Sequence, residues 1–214
     1  MINIENNIVD LNFFNKVIKE IKNNDKIKSK KIIESFSPNQ FQCKIKLIEL
    51  LDNINVINEK TNIAVFGCWF NSILGSVLSK RVNKIVGYDM DEYTITLGKR
   101  LFKDHKNVEF VHCDVFKEYK NNISFDIIIN TSCEHMLPMK DWPYWDRVKP
   151  GTIFAFQSNN MHWEDEHTNC VYSLQQFEKQ LPSSFEVIAK DETIIDKQTA
   201  WEYIRYTLIG RTNV

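Results

Sequence analysis

The chain has 214 residues, 43% of them hydrophobic, a length that suits one α/β domain with a helical extension. Lys+Arg 27 against Asp+Glu 28 leaves a net charge of −1, which gives no overall attraction to nucleic acid or an anionic membrane; a local basic patch is still open. No apolar run reaches the ~18 residues of a membrane span, and "MINIENNIVDLNFF" lacks the charged-then-apolar order of a secretion signal, so a soluble, cytoplasmic protein is expected.

Five cysteines, Cys43, Cys68, Cys113, Cys133 and Cys170, are scattered and never form a C-x-x-C pair. This is neither a disulfide frame nor a zinc knuckle, and burial is the ordinary fate of such residues.

Residues 11–35 carry helical apolar spacing interrupted by Asn, Asp and Lys, which predicts two short helices joined by a solvated turn. In "SFSPNQFQCKIKLIELLDNI" Ser37 can cap a third helix, Pro38 fits its first turn, and Phe41, Ile45, Ile48 and Leu51 recur at helical spacing. Residues 1–60 are therefore expected to be a helical extension capping the domain formed by 61–214, with Phe36, Gln40 and Lys44 reaching the contents of its cleft. From residue 62 the period changes: "NIAVFGC", "KIVGYD", "VEFVHCD", "FDIIIN" and "TIFAFQ" read as strands, the first two followed by "SILGSVLSKR" and "EYTITLGKRLF" as helices. Alternation of this kind implies a doubly wound, Rossmann-like parallel sheet. After the helix "SLQQFEKQL", the strands "SFEVIAKDE" and "WEYIRYTLIGRT" have no crossover helix between them and should pair antiparallel.

Polar residues gather where these strands end, and in open α/β sheets ligands bind beyond the carboxyl ends of the strands. Gly67 ends the first strand and lets a ligand approach the backbone closely. Asp89, about 20 positions on, stands at the spacing from which an acid reaches ribose hydroxyls. There is no G-x-G-x-x-G: Cys68, Trp69, Phe70 and Asn71 follow Gly67, which disfavours the pyrophosphate of NAD.

The strand order and these tips resemble a class I S-adenosylmethionine-dependent methyltransferase over residues 62–210. "IAVFGCWFNS" stands at that family's first loop, "VGYDMD" at its second-strand acid, "VHCDVF" at its adenine contact and "INTSCEHM" at its fourth strand. "HTNCVYSLQQFEKQL" is similar to a segment of small-molecule methyltransferases. More narrowly, "SPNQFQCK", "INTSCEHM", "QSNN" and "LIGR" resemble methyltransferase-like proteins of tailed bacteriophages, which lend no function. The resemblance implies S-adenosylmethionine as cofactor, a phosphate-free ligand that a one-glycine loop tolerates. Its ribose falls to Asp89 with Met90, its adenine to Asp114 and the backbone of Val115. Its methionine part falls to Asn71, Ser72 and Asn130, with Cys68, Trp69, Thr131 and Ser132 around it.

Displacement at a sulfonium needs alignment above all, and a base only where the acceptor keeps its proton. His135 is the candidate base, with Glu134 orienting it or taking the proton; the alternatives are a Glu134 that caps a helix or pairs with Lys140 and a His135 that packs on the strand tip. Asn159, in "FQSNN", is a candidate reader of a polar substrate, and His167 with Asn169 is expected to face the cleft. Tyr144 and Trp163 are expected lid residues, while Trp142 and Trp145 suit one face of a helix on the sheet. The spacing from His162 to His167 does not match H-E-x-x-H, so no metal is assigned there. Methyl transfer to a small polar molecule is the leading expectation. Transfer of the aminocarboxypropyl arm, cofactor cleavage and a non-catalytic binding module stay open. Nucleic acid is less favoured, because no Asp-Pro-Pro-Tyr or Asn-Pro-Pro-Tyr follows the fourth strand and the lysines of "NNDKIKSKK" suit a solvated face.

Overall fold

The computed structural model describes residues 11–119 and 123–212. Three helices come first: α1 (Leu11–Asn23), α2 (Lys26–Glu34) and α3 (Pro38–Asn53). Their starts follow from side chains that satisfy free backbone donors: Asp25 accepts from the Lys28 N–H and Ser37 from the Gln40 N–H, with Pro38 in the first turn of α3. Then follow β1 (Asn62–Phe66), α4 (Ser72–Leu78), β2 (Lys84–Asp89), α5 (Glu92–Leu101), β3 (Val108–His112), β4 (Ile127–Asn130), β5 (Ile153–Asn159), α6 (Leu174–Glu178), β6 (Phe185–Ile195) and β7 (Tyr203–Thr212).

The seven strands form one sheet in the order β3-β2-β1-β4-β5-β7-β6. β1 to β5 are parallel, and β7 lies antiparallel between β5 and β6. This is the doubly wound sheet with a terminal hairpin that the element order implies. Alternate residues of each strand feed opposite layers. Ile63, Val65, Ile85, Ile127 and Ile129 pack with Phe13, Ile32, Leu47, Leu51, Leu74 and Leu97 from the five leading helices. Ala64, Phe66, Tyr88, Ile128, Phe154 and Phe156 face the other way, onto Tyr119, Trp142 and Phe177.

Helices α1 to α3 share their core with the sheet and are tied to it by polar contacts as well. Gln157 Nε2 donates to the Cys43 carbonyl at 3.0 Å, Ser72 Oγ to the Ser35 carbonyl at 3.1 Å, and Arg81 pairs with Asp52. Residues 1–10, part of the expected extension, lie outside the described residues. Beyond β4, Trp142 and Trp145 do not share an α-helix. Prolines 138 and 143 interrupt any such helix, and the chain forms three short 3-10 turns, Cys133–His135, Met139–Asp141 and Trp145–Arg147. Both rings still pack on the sheet layer, Trp145 at 4.7 Å from Phe154. Among the described residues no helix is long and apolar enough to cross a membrane.

The β6–β7 pair shifts register between Val187 and Ala189, opposite Gly210. A Cβ on Gly210 would collide with the Glu186 carbonyl oxygen and the Phe185 ring. Gly210→Ala is expected to cost about 2 kcal/mol, in the range of an overpacked core. A lower urea midpoint at unchanged slope is the readout.

Candidate active site

Strand order reverses between β1 and β4: the chain leaves β1 toward β2 and β3, then returns past β1 to β4 on the opposite face. The two loops diverge there and open a crevice beyond the carboxyl edge. A cavity of about 1010 Å³ occupies it. Strand tips form one wall, and Lys31, Glu34, Ser35, Gln40 and Lys44 of the leading helices form the other. Gln40 and Lys44 therefore reach the cleft as expected from the sequence, whereas Phe36 packs into the core against Phe13.

The loop after β1 is tightly wound, with positive φ at Gly67 (55°), Trp69 (48°) and Asn71 (51°). A side chain on Gly67 would strike the Met136 methyl and crowd Ser132, whose Oγ donates to the Gly67 carbonyl at 3.3 Å. Asp89 closes the same loop. Its Oδ2 accepts the Trp69 N–H at 2.9 Å and its Oδ1 the Asp91 N–H at 3.0 Å. It lines the cavity and makes no ion pair among the described residues. Burial pushes its carboxyl above the ordinary value, against those backbone donors. Met90 is 70% exposed at the rim.

Asp114 accepts from the Phe116 N–H at 3.0 Å and pairs with Lys117 at 3.1 Å. The carbonyl of buried Val115 accepts from Trp142 Nε1 at 3.0 Å, so that indole supports the third loop from behind. Cys68 lines the cavity, but burial raises its thiol far above its usual value, which removes it as a thiolate. Gly67, Cys68, Trp69, Asn71, Ser72, Asp89, Met90, Asp114, Val115, Thr131 and Ser132 thus surround one space. One of them has another commitment, the Ser72 hydroxyl, which donates to the Ser35 carbonyl; Asn71 lies near Gly75 with both amide atoms buried and unpartnered.

Four expectations need correction here. Asn130 is fully buried and does not line the cavity: its Oδ1 accepts the Ser132 N–H at 2.9 Å, an Asx turn, and its amide points to the Met136 and Met139 sulfurs. Asn159 is likewise spent, its Oδ1 accepting from the Met161 N–H and the Cys170 thiol. Both residues sit at a strand end, where the pleat sends alternate side chains into the layer. His167 and Asn169 lie behind the wall. Asn169 holds the Cys133 carbonyl and Gln180, and His167 packs edge-on against His135 with ring centroids 4.5 Å apart. The expected lid residues do not line the cavity either: Tyr144 donates to the Lys117 carbonyl at 2.6 Å, and Trp163 is 48% exposed.

Glu134 lines the cavity but neither caps a helix, pairs with Lys140 nor hydrogen-bonds His135. Its Oε1 meets Arg205 Nη1 at 2.5 Å, with both residues buried. Burial pushes its carboxyl upward, but the charge and hydrogen bond of Arg205 outweigh this and hold it below its ordinary value. A carboxylate so held is a poor proton acceptor. His135 is exposed, and its Nδ1 contacts the Glu166 carbonyl at 3.1 Å. A carbonyl only accepts, so Nδ1 carries the proton and Nε2 keeps a lone pair.

Arg205 is the residue the sequence reading missed. The available signal was one charge inside the apolar pattern of "EYIRYTLIG"; the β5–β7 register then sets Arg205 opposite Asn159, beside the tip of β4. Lys44, on the facing wall, donates to Gln40 Oε1. Burial, with Arg205 as a second cause, lowers its pKa to about 8. Between pH 8 and the unfolded value of 10.5 the unfolded chain holds a proton that the folded one lacks, so stability should rise with pH across that window. Lys44→Met is expected to stabilise the cofactor-free protein by about 3 kcal/mol at pH 7, a gain that falls to a few tenths by pH 10.5 in urea titrations at both values.

No family model matches the sequence, and no curated protein matches it. Solved structures do. The N-methyltransferase NodS from Bradyrhizobium japonicum, in complex with S-adenosyl-L-homocysteine, superposes with a TM-score of 0.66 at 13% identity, covering 95% of this chain and 100% of that one. A putative sarcosine dimethylglycine methyltransferase from Galdieria sulphuraria gives 0.64 at 8% identity over 90% of each chain. The YcgJ protein from Bacillus subtilis gives 0.61 at 11% identity, covering 78% of this chain and 98% of that one. The polypeptide therefore has the Rossmann-like fold of the class I S-adenosylmethionine-dependent methyltransferases.

Proposed function

We propose that the protein is a cytoplasmic S-adenosylmethionine-dependent methyltransferase whose acceptor is a small polar molecule. The observation that carries this reading is the order of groups along the sheet edge. Asp114, Asp89, Gly67 and the Thr131-Ser132 turn follow β3, β2, β1 and β4, which are neighbours in that order and all open on one cavity. At ~4.8 Å per strand, they span about 14 Å, room for a nucleoside with a side chain laid across it. The chain fits such a group. Gly67 is a cradle that a Cβ would fill, and the Asn71 amide is buried without a partner, as a site for an amino-acid end group requires.

Asp89, with both carboxylate oxygens already aimed by backbone donors, would hold the ribose, and Asp114 with Val115 the adenine. When bound, the cofactor supplies an electrophilic methyl group. The chain's own part is to align and to manage a proton, and the free Nε2 of His135 at the cavity wall is the acceptor for it. Lys44 and Gln40 leave that end of the cavity polar, which suits a polar molecule. A volume near 1010 Å³ lies at the upper end of small-molecule sites. Lys28 and Lys30 pair with Asp25 and Glu34, which weakens the case for a nucleic-acid track. The likeness to tailed-bacteriophage proteins rests on short sequence segments and adds no substrate.

Calorimetry with S-adenosyl-L-homocysteine is the test. The wild type should bind it at one site, and Asp89→Ala should weaken binding at least tenfold, about 1.4 kcal/mol. No binding, or equal binding by the variant, overturns the proposal. In turnover assays the product by mass should be S-adenosylhomocysteine; methylthioadenosine would mean transfer of the aminocarboxypropyl arm instead.

A further inference from the structure

Glu134, His135 and His167 each bring one ligand-competent atom within 4.8 Å of the other two. They come from separate segments, the turn after β4 and the stretch between β5 and α6. The Asn169 N–H holds these together by donating to the Glu134 carbonyl at 2.9 Å. We propose that this trio binds a divalent transition-metal cation at the acceptor end of the cavity.

The polar atoms in the cluster are left in the state a ligand would complete. Glu134 is 4% exposed; Arg205 takes its Oε1, and its Oε2 is buried with no hydrogen-bond partner. A buried carboxylate oxygen without a partner is costly unless something occupies it. His167 Nδ1 is also buried and unpartnered. His135 is oriented as metal-binding histidines usually are, one ring nitrogen donating to a backbone carbonyl, here that of Glu166, and the other keeping its lone pair. Ligands about 2.0–2.2 Å from a shared ion lie roughly 3–4 Å apart, so a small inward rotation of the side chains closes the present spacing.

Two imidazoles and one carboxylate suit Mn²⁺, Fe²⁺ or Zn²⁺ and leave coordination positions open. Glu134 and His135 line the cavity while His167 stands behind them, so the open positions face the cavity. Arg205 does not forbid the cation. Its Nη1 and Nη2 are taken by Glu134 Oε1 and the Thr131 carbonyl, its charge is offset by the carboxylate, and it fixes the direction of Oε2. The cation's own charge then falls to the ligands at the open positions, which selects oxygen donors with anionic character. If the methyltransferase reading holds, on which this step rests, the acceptor presents a hydroxyl oxygen that the metal polarises; with the ion bound, Nε2 of His135 is a ligand and no longer the proton acceptor, and the acidified hydroxyl gives its proton to water in the cavity. The histidine that the sequence places nearby, His162, takes no part; its ring stacks on Tyr172 at 3.9 Å.

The test uses the full chain, freed of metal with a chelator that is then removed. Mn²⁺ is titrated in and followed by the paramagnetic resonance of the free ion, with Zn²⁺ titrated by calorimetry. One saturable equivalent is expected, with affinity at least tenfold lower in His135→Ala and in His167→Ala. Glu134→Gln should lose affinity as well; because it also strips Arg205 of its partner, the two histidine variants decide if it fails to fold. No saturable binding by the wild type, or unchanged affinity in both histidine variants, overturns the site. S-adenosyl-L-homocysteine binding, measured on the same metal-free protein, separates the two readings: metal bound without it leaves the site standing and removes only the methyltransferase.

Discussion

A buried ion pair between Arg205 and Glu134 governs the geometry of the cleft. Taking both charges out of water is expensive; the short hydrogen bond between the partners and the second one from Arg205 to the Thr131 carbonyl offset part of that cost. Arg205 bonds the Thr131 carbonyl in addition to the Glu134 carboxylate, so a single side chain of the antiparallel strand β7 ties down the turn that leaves the parallel strand β4. Ser132 is thereby brought to the Gly67 carbonyl and His135 to the Glu166 carbonyl. The terminal hairpin thus acts as more than an edge for the sheet. It delivers the guanidinium that orders the turn after β4, and it can do so because β7 is inserted beside β5 rather than added outside β6.

The cavity itself exists because the connections part company at β1 and β4. The β1–β2–β3 crossovers use α4 and α5 on the face where α1 to α3 also pack. The return segment to β4 lies on the other face, with Val115, Tyr119 and Phe125 in the second layer. The leading helices complete the enclosure, and Gln157 reaching the Cys43 carbonyl binds them to the sheet. Lys44 comes with them. A lysine depressed by burial and by a neighbouring guanidinium costs folding free energy, and such a cost at a cavity wall is typical of places shaped for a ligand.

Much of the fold was legible from residue order. Ser37 before Pro38, the alternation of "KIVGYD" with "EYTITLGKRLF", and two final strands without a crossover each encode their outcome within a few residues. Part of the site was legible too: Gly67, Asp89, Asp114 and Ser132 end strands and do open on the cavity. Asn130 and Asn159 end strands equally well and do not. A polar residue at a strand tip faces the cleft or the packed layer according to the pleat and the turn that follows. The Asx turn of Asn130 and the bond from the Met161 N–H to Asn159 settled those cases.

By itself, then, the sequence determined the helix caps, the alternation of strands and helices, the closing hairpin and the polar character of the first, second and third loops, because each depends on neighbours a few residues apart. Tertiary structure alone decided that Glu134 meets Arg205, 71 positions away, instead of orienting His135, and that His167 stands against His135. Partners so remote in the chain are chosen by sheet order and register, and these emerge only when all the strands have paired.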